Sequence, residues 1–318
     1  MHNIRHFYYQ NKEKIWKVVL IIAFLLGIIY FFNDRATENT NKNQYTSNNN
    51  IDYSDEQNKT YISNQSAISG ETVTESEVKE INNTVSKFLQ YCKNGNIEEA
   101  YNMLTKDCKE EHYNTVEKFK EKYLKSKFDK NSIYEIEKWI NNTYKVSISK
   151  DLLATGNIKD NAKYIEYITI EKEDAVDKLN INGYVGKKDI NKKTIKDQIK
   201  ITAINKKMYM DYEIYEFKIE NLSNKTIKID NFQKIGTIHL KDSNGNKYNA
   251  YAHEILEDNL EVKTKGTINI SMKFAKTYSS TATIKKIVFE NVIQDYLEYV
   301  NTENKEDYKD IIELEIDL

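Results

Sequence analysis

Tyr215-Glu216-Phe217-Lys218-Ile219-Glu220-Asn221 alternates apolar and polar side chains without a break, and its reading decides the fold. A period of two puts Tyr215, Phe217 and Ile219 on one face of a strand, with Glu216, Lys218 and Glu220 on the other. That is the pattern of an antiparallel sheet with one dry and one wet face. The alternation is preceded by Ile199 and Ile201. It recurs at Ile227 and Ile229, at Ile238 and Leu240, at Ile268, Ile270, Met272 and Phe274, and again near Ile287 and Ile312. Asn244-Gly245, within Asp242 to Tyr248, predicts a tight hairpin because both residues accept positive φ. Short strands at regular spacing, with no strong helix among them, predict an all-β sandwich over 195–318. The final run sets Ile312, Leu314, Ile316 and Leu318 against Glu313, Glu315 and Asp317. A strand spreads such carboxylates along one face without wrapping them around a cation, so they read as a solvated face.

Upstream the period becomes helical. Val78, Ile81, Val85, Phe88, Leu89 and Cys92 share one face, and Thr74 with Glu77 forms a capping box. Asn94-Gly95-Asn96 ends that helix. Ile97, Ala100, Tyr101 and Leu104 mark a second, and Val116, Phe119, Tyr123 and Leu124 a third. Period two returns at Tyr144, Val146 and Ile148, at YIEYITI over 164–170, and at Leu179 and Ile181. Helices first and strands after predict an α+β domain over 73–190, its helices on one face of an antiparallel sheet. Residues 34–72 are rich in Asn, Thr, Ser and acidic groups, with no apolar period, and read as a flexible linker.

Val18–Phe32 reads VVLIIAFLLGIIYFF, without a charge. It predicts a single transmembrane helix over 15–33 after a cytoplasmic stub at 1–14. Trp16, Lys17, Val18, Leu20, Phe24, Leu25, Ile28, Tyr30 and Phe32 are its anchor residues. Trp16 and Tyr30 are read as lying at the interfaces, with Lys17 snorkelling to the headgroups. Arg5, Lys12, Lys14 and Lys17 precede the stretch, which places the N-terminus in the cytoplasm and the later domains outside the cell. A cleaved signal peptide fits less well, because Asn33-Asp34-Arg35-Ala36 lacks small residues at both cleavage positions. The lipid bilayer is thus the first expected partner.

Two resemblances follow from quoted phrases. Phe88-Leu89-x-Tyr91 with Gly95-Asn96-x-Glu98-x-Ala100-Tyr101-x-x-Leu104, then Thr115 to Tyr123, resembles the opening of the NTF2-like cone fold over about a third of the chain. It implies a packing scaffold or a pocket. Phe217 to Ile227, Leu240 to Tyr248, and Lys265-Gly266 through Met272-x-Phe274 are similar to an immunoglobulin-like domain of exported Gram-positive proteins. That resemblance carries no catalytic residues. The family places Pro where Lys265 stands here, which puts the turn geometry in question.

The 318 residues carry a formal net charge of -2, so no basic field is available for nucleic acid. Proline is absent, and the abundance of Lys, Asn and Ile suits an AT-rich bacterial gene. Cys92 and Cys108 leave two readings open, one disulfide or a half-buried thiol on each of two helices. His112 reads as a surface residue in an interhelical loop. Asp151, Asp160 and Asp174 sit near strand ends, where turns favour them. His239 should face outward, and its spacing from His253 suggests no metal site. Nucleophile elbow, zinc-helix and phosphate-loop motifs are missing. No cofactor and no metal is expected. The chain reads as a non-enzymatic, membrane-anchored scaffold or protein-interaction protein of a bacterial cell envelope, with envelope proteins as partners. Its architecture resembles assembly subunits of conjugation or secretion machines. The alternative is an extracytoplasmic receptor for a small molecule or an envelope polymer.

Overall fold

The structure, a computed structural model, describes residues 60–150, 164–255, 260–276 and 282–318. The predicted membrane helix over 15–33, all its anchor residues and the stub lie outside them. Among the described residues no helix is long and apolar enough to cross a membrane. Strand outweighs helix among them, and each helix buries only one face. The fold expected, a single span followed by extracytoplasmic domains, is therefore corrected to a β-rich body with short amphipathic helices. The described residues give no support to a cell-membrane location or to the bilayer as a partner.

The chain enters as strand β1 (Thr60–Ile62), inside the predicted linker. Thr60 and Ile62 are buried, and the strand pairs in parallel with β2 (Ser132–Ile140). Three residues are too few to show a period, so composition alone misassigned them. Helix α1 (75–94) follows. Its capping box is formed: Thr74 Oγ1 accepts from the Glu77 amide at 3.3 Å, and Glu77 Oε2 accepts from the Thr74 amide at 2.8 Å. A π segment, Asn82–Ser86, lies within it, and Gly95 closes it at φ 77°. Helices α2 (Ile97–Asn102), α3 (Lys106–His112) and α4 (116–127) complete a layer. Below it β1 and β2 continue into β3 (Thr143–Lys150), β4 (Tyr164–Glu173) and β5 (Val176–Asn180), a five-stranded sheet in that order. Between the layers lies an aromatic core. Phe88, Phe119, Tyr123 and Tyr134 are fully buried, and the rings of Phe119 and Tyr123 stack at 5.3 Å.

Strands β6 (Tyr184–Lys196), β7 (Ile199–Tyr209) and β8 (Tyr212–Asn221) form a long meander. The expected gap between domains at 191–194 lies inside β6, which pairs with β7 from Tyr184 to Lys196. Tyr184 and Tyr209 belong to the first core, whereas Ile199, Ile201 and Ala203 belong to the second, so one ribbon spans both. β6 escaped the sequence reading because Lys187 to Lys196 is mostly polar and exposed, so its pairing comes from backbone hydrogen bonds. Its turn needs no glycine: Asp197 and Gln198 take φ of 46° and 64°.

β9 (Ile227–Lys228), β10 (Ile238–Asp242), β11 (Lys247–Asn249), β12 (Glu261–Val262), β13 (Thr267–Ala275), β14 (Ile284–Ile293) and β15 (Ile311–Asp317) follow. One sheet runs β13-β8-β7-β6. The other runs β11-β10-β14-β9-β12, with β15 also on β14. Phe217 and Phe289 meet edge to face at 5.5 Å across the two sheets. The Asn-Gly turn differs from the reading above. Only Gly245 has positive φ, and Asp242 closes the loop by accepting from the Asn244 and Asn246 amides at 2.8 and 2.9 Å. Lys265 lies at φ 55°, which a proline ring cannot adopt.

Candidate functional site

Two tight turns meet at the N-terminal end of β4. In the first, Asn182 and Gly183 both take positive φ, at 59° and 68°. The second is Met210-Asp211, between β7 and β8. The Met210 amide donates to the Gly183 carbonyl at 2.9 Å, and the Gly183 amide to the Tyr167 carbonyl at 3.1 Å. These bonds shape a cleft of about 230 Å³. Its walls include Tyr164, Tyr167, Tyr209 and Tyr212, with Glu166 and Asp211. A second cavity of about 300 Å³ also touches Met210 and is lined by Ile140, Ile170, Val185 and Lys276.

Glu166 is buried at the cleft floor. One oxygen accepts from Lys127 Nζ at 2.5 Å and the other from the Asn182 amide at 2.5 Å. Lys127 also donates to Asn182 Oδ1 at 2.8 Å and stands 4.3 Å from the Tyr123 ring centre. Asn182 Nδ2 donates to the Tyr113 hydroxyl at 2.7 Å. Burial pushes the Glu166 carboxyl up, against the pull of Lys127. Burial likewise disfavours the Lys127 ammonium, but Glu166 more than offsets this and keeps it above the ordinary range. The contact distance is that of an ion pair, and we assign the charged state to both partners.

A second chain of ion pairs ties α3 to the ribbon. Glu111 accepts from the Tyr209 hydroxyl at 2.7 Å and pairs with Lys207 at 2.6 Å, and Lys207 pairs with Glu216 at 2.8 Å. Burial opposes the charge of Glu111, but Lys207 and Tyr209 hold its carboxyl below the usual range. His112 closes α3 and is not a surface loop residue. Its Nε2 is buried without a partner, and its ring meets Tyr184 and Tyr209 edge-on at 5.7 and 5.9 Å. Burial pushes its pKa down, so the imidazole is neutral near pH 7.

Cys92 and Cys108 are free, buried thiols. Burial raises both pKa values, that of Cys108 to about 12, so neither is a thiolate nucleophile at neutral pH. Asp174 opens the β4–β5 turn at φ 50°. Asp151, Asp160 and the His253 side chain lie outside the described residues. His239 is 1% exposed, not outward-facing, and its Nδ1 lies 3.0 Å from the Gly236 carbonyl. Both faces of β10 are covered, which alternation alone does not show. Among the described residues no cluster of His, Cys, Asp or Glu suits a metal ion. The sequence reading missed Lys127, Glu166 and Asn182. One signal was available: in YIEYITI, Glu166 shares the inward parity of Ile168 and Ile170.

No known protein family and no curated protein matches the chain. The yjhA protein from Bacillus subtilis is similar at 15% identity and a TM-score of 0.28, over 40% of this chain and 97% of that one. A conserved hypothetical protein from Bacillus anthracis is similar at 13% identity and a TM-score of 0.25, over 40% and 96%. Likeness at this level bears on neither fold nor role.

Proposed function

We propose that this protein is a non-enzymatic interaction scaffold whose partner protein seats a side chain or loop in the tyrosine-walled cleft. One observation carries the reading. The buried ionisable groups at the cleft are engaged with one another, while Tyr164 and Asp211 are exposed and Tyr167 is half-buried. Tyrosine offers a large, amphipathic contact area at small cost in side-chain entropy. Of the neighbouring lysines, Lys206 pairs with Glu213 and Lys273 with Glu254, while Lys276 donates to the Tyr209 carbonyl at 3.0 Å, so the cleft presents no array of unmatched cations for an acidic polymer. Placement in a conjugation or secretion machine rests on a membrane span and is not part of this proposal.

A photo-crosslinking amino acid at position 164, in the cells that make the protein, tests the reading. The expected result is a discrete protein adduct that is absent when the probe replaces the exposed Lys193 on the far part of β6. Loss of any protein adduct, together with saturable small-molecule binding, selects the second reading. That reading is a small-molecule receptor, and the second cavity favours it: about 300 Å³ with Ile140, Ile170 and Val185 in its wall.

A further inference from the structure

A short helix, α5 (Tyr296–Asn301), interrupts the connection from β14 to β15. Six residues are too few to hold a helix in water, so its tethers matter. Asp295 caps it by accepting from the Glu298 amide at 3.1 Å, and pairs with Lys225 at 3.1 Å. At the other end Lys305 Nζ donates to the carbonyls of Tyr299, Val300 and Thr302. Tyr299 is buried in a small satellite core with Ile293 and Tyr308. Its hydroxyl accepts from Asn231 at 2.8 Å and donates to Gln233 at 3.1 Å, which fixes the loop before β10.

This clamped helix points apolar side chains at solvent. Leu297 is 62% and Val300 53% exposed, one turn apart on the same face. Ile235, in the loop that Tyr299 holds, is 93% exposed. Isolated exposed apolar residues are ordinary. Here the cap and the satellite core hold the pair in a fixed position. Lys225 pairs with Asp295 and lies 4.0 Å from Glu298, so the acids of the helix itself are matched. In the connection that follows, Glu303, Glu306, Asp307 and Asp310 stand against Lys305 and Lys309. Lys305 is turned onto the helix carbonyls, and Lys309 donates to the Glu306 carbonyl at 2.7 Å.

We propose that α5 and the following connection form a second docking surface, for a protein segment that presents apolar side chains flanked by lysine or arginine. Leu297 and Val300 supply the apolar contact, and the acidic rim supplies charge complementarity and orientation.

The test uses the purified full chain and two synthetic amphipathic peptides, one of Leu and Lys and one with Glu in place of every Lys, followed by fluorescence anisotropy. The Leu/Lys peptide should bind saturably and more weakly in high salt. The L297S/V300S variant should bind it at least about tenfold more weakly with an unchanged melting temperature. Tyr164→Ala, in the separate cleft, should leave this binding unchanged. The proposal is overturned if both peptides bind equally, if the Leu/Lys peptide does not bind, or if L297S/V300S binds as well as the parent. It is also overturned if vesicles of phosphatidylcholine with phosphatidylglycerol, and neither peptide, lose binding in that variant, since the ligand is then a lipid surface.

Discussion

The two cores of the described body are built on different chemistry. The first, under the helices, is aromatic and holds polar groups: Lys127 with Glu166, Thr105 with Asn180, and the two thiols. The second, inside the sandwich, is lined by Phe217, Phe274, Phe289 and aliphatic side chains. The dry core gains most of its stability from area and packing, and the polar side chains buried at its margin, such as Asn221 and Asp230, are bonded to nearby turn and loop groups. In the first, the same gain depends on every buried charge keeping its partner, which ties its stability to a particular geometry at the cleft floor.

The largest expected effect breaks the dry core. Phe217 is fully buried, and Phe217→Ala should cost about 3–5 kcal/mol in a denaturant melt. Glu166→Ala should cost about 3–5 kcal/mol for another reason, because it strands the Lys127 ammonium. The double variant K127M/E166M sharpens the comparison. It should recover most of that loss, whereas a methionine partner for Phe217→Ala has no charge to neutralise. Thr105→Ala should cost about 1–2 kcal/mol, since Thr105 caps α3 through the Cys108 amide and donates to Asn180.

The smallest expected effects are in acid, where the regions converge. Lys138 holds the Glu77 carboxyl at about 2, aided by the Thr74 amide. Asn246 and Tyr248 hold Asp242 at about 2 in the sandwich. A carboxyl lowered in the folded state stabilises above its unfolded pKa, and that contribution disappears as the pH falls through the folded value. Glu77→Gln and Asp242→Asn should each flatten the stability profile between about pH 4.5 and pH 2 and leave the slope above pH 6 unchanged.

The difference between the regions also explains what was legible in the sequence. The strands around Phe217 and Ile270 bury one face against one core, so their parity was visible. β6 pairs largely through its backbone and shows little parity, while the three residues of β1 are too few to show any. His239 deceived because its strand is covered on both faces. Thr74 and Gly95 were legible because capping is local. The cleft was not, because Asn182-Gly183 and Met210-Asp211 are ordinary turn residues until the fold brings them together. The acidic charge on the inward parity of β4 was its one trace.

The central claim is that the charged floor of the cleft is structural and its rings and Asp211 make the contact. Partner capture by a photo-crosslinker at position 164, compared in the K127M/E166M and Y167A/D211N backgrounds, tests it most directly. The account predicts that the adduct persists in the first background, folded as judged by its melting curve, and is lost in the second. Loss in the first with persistence in the second would contradict it.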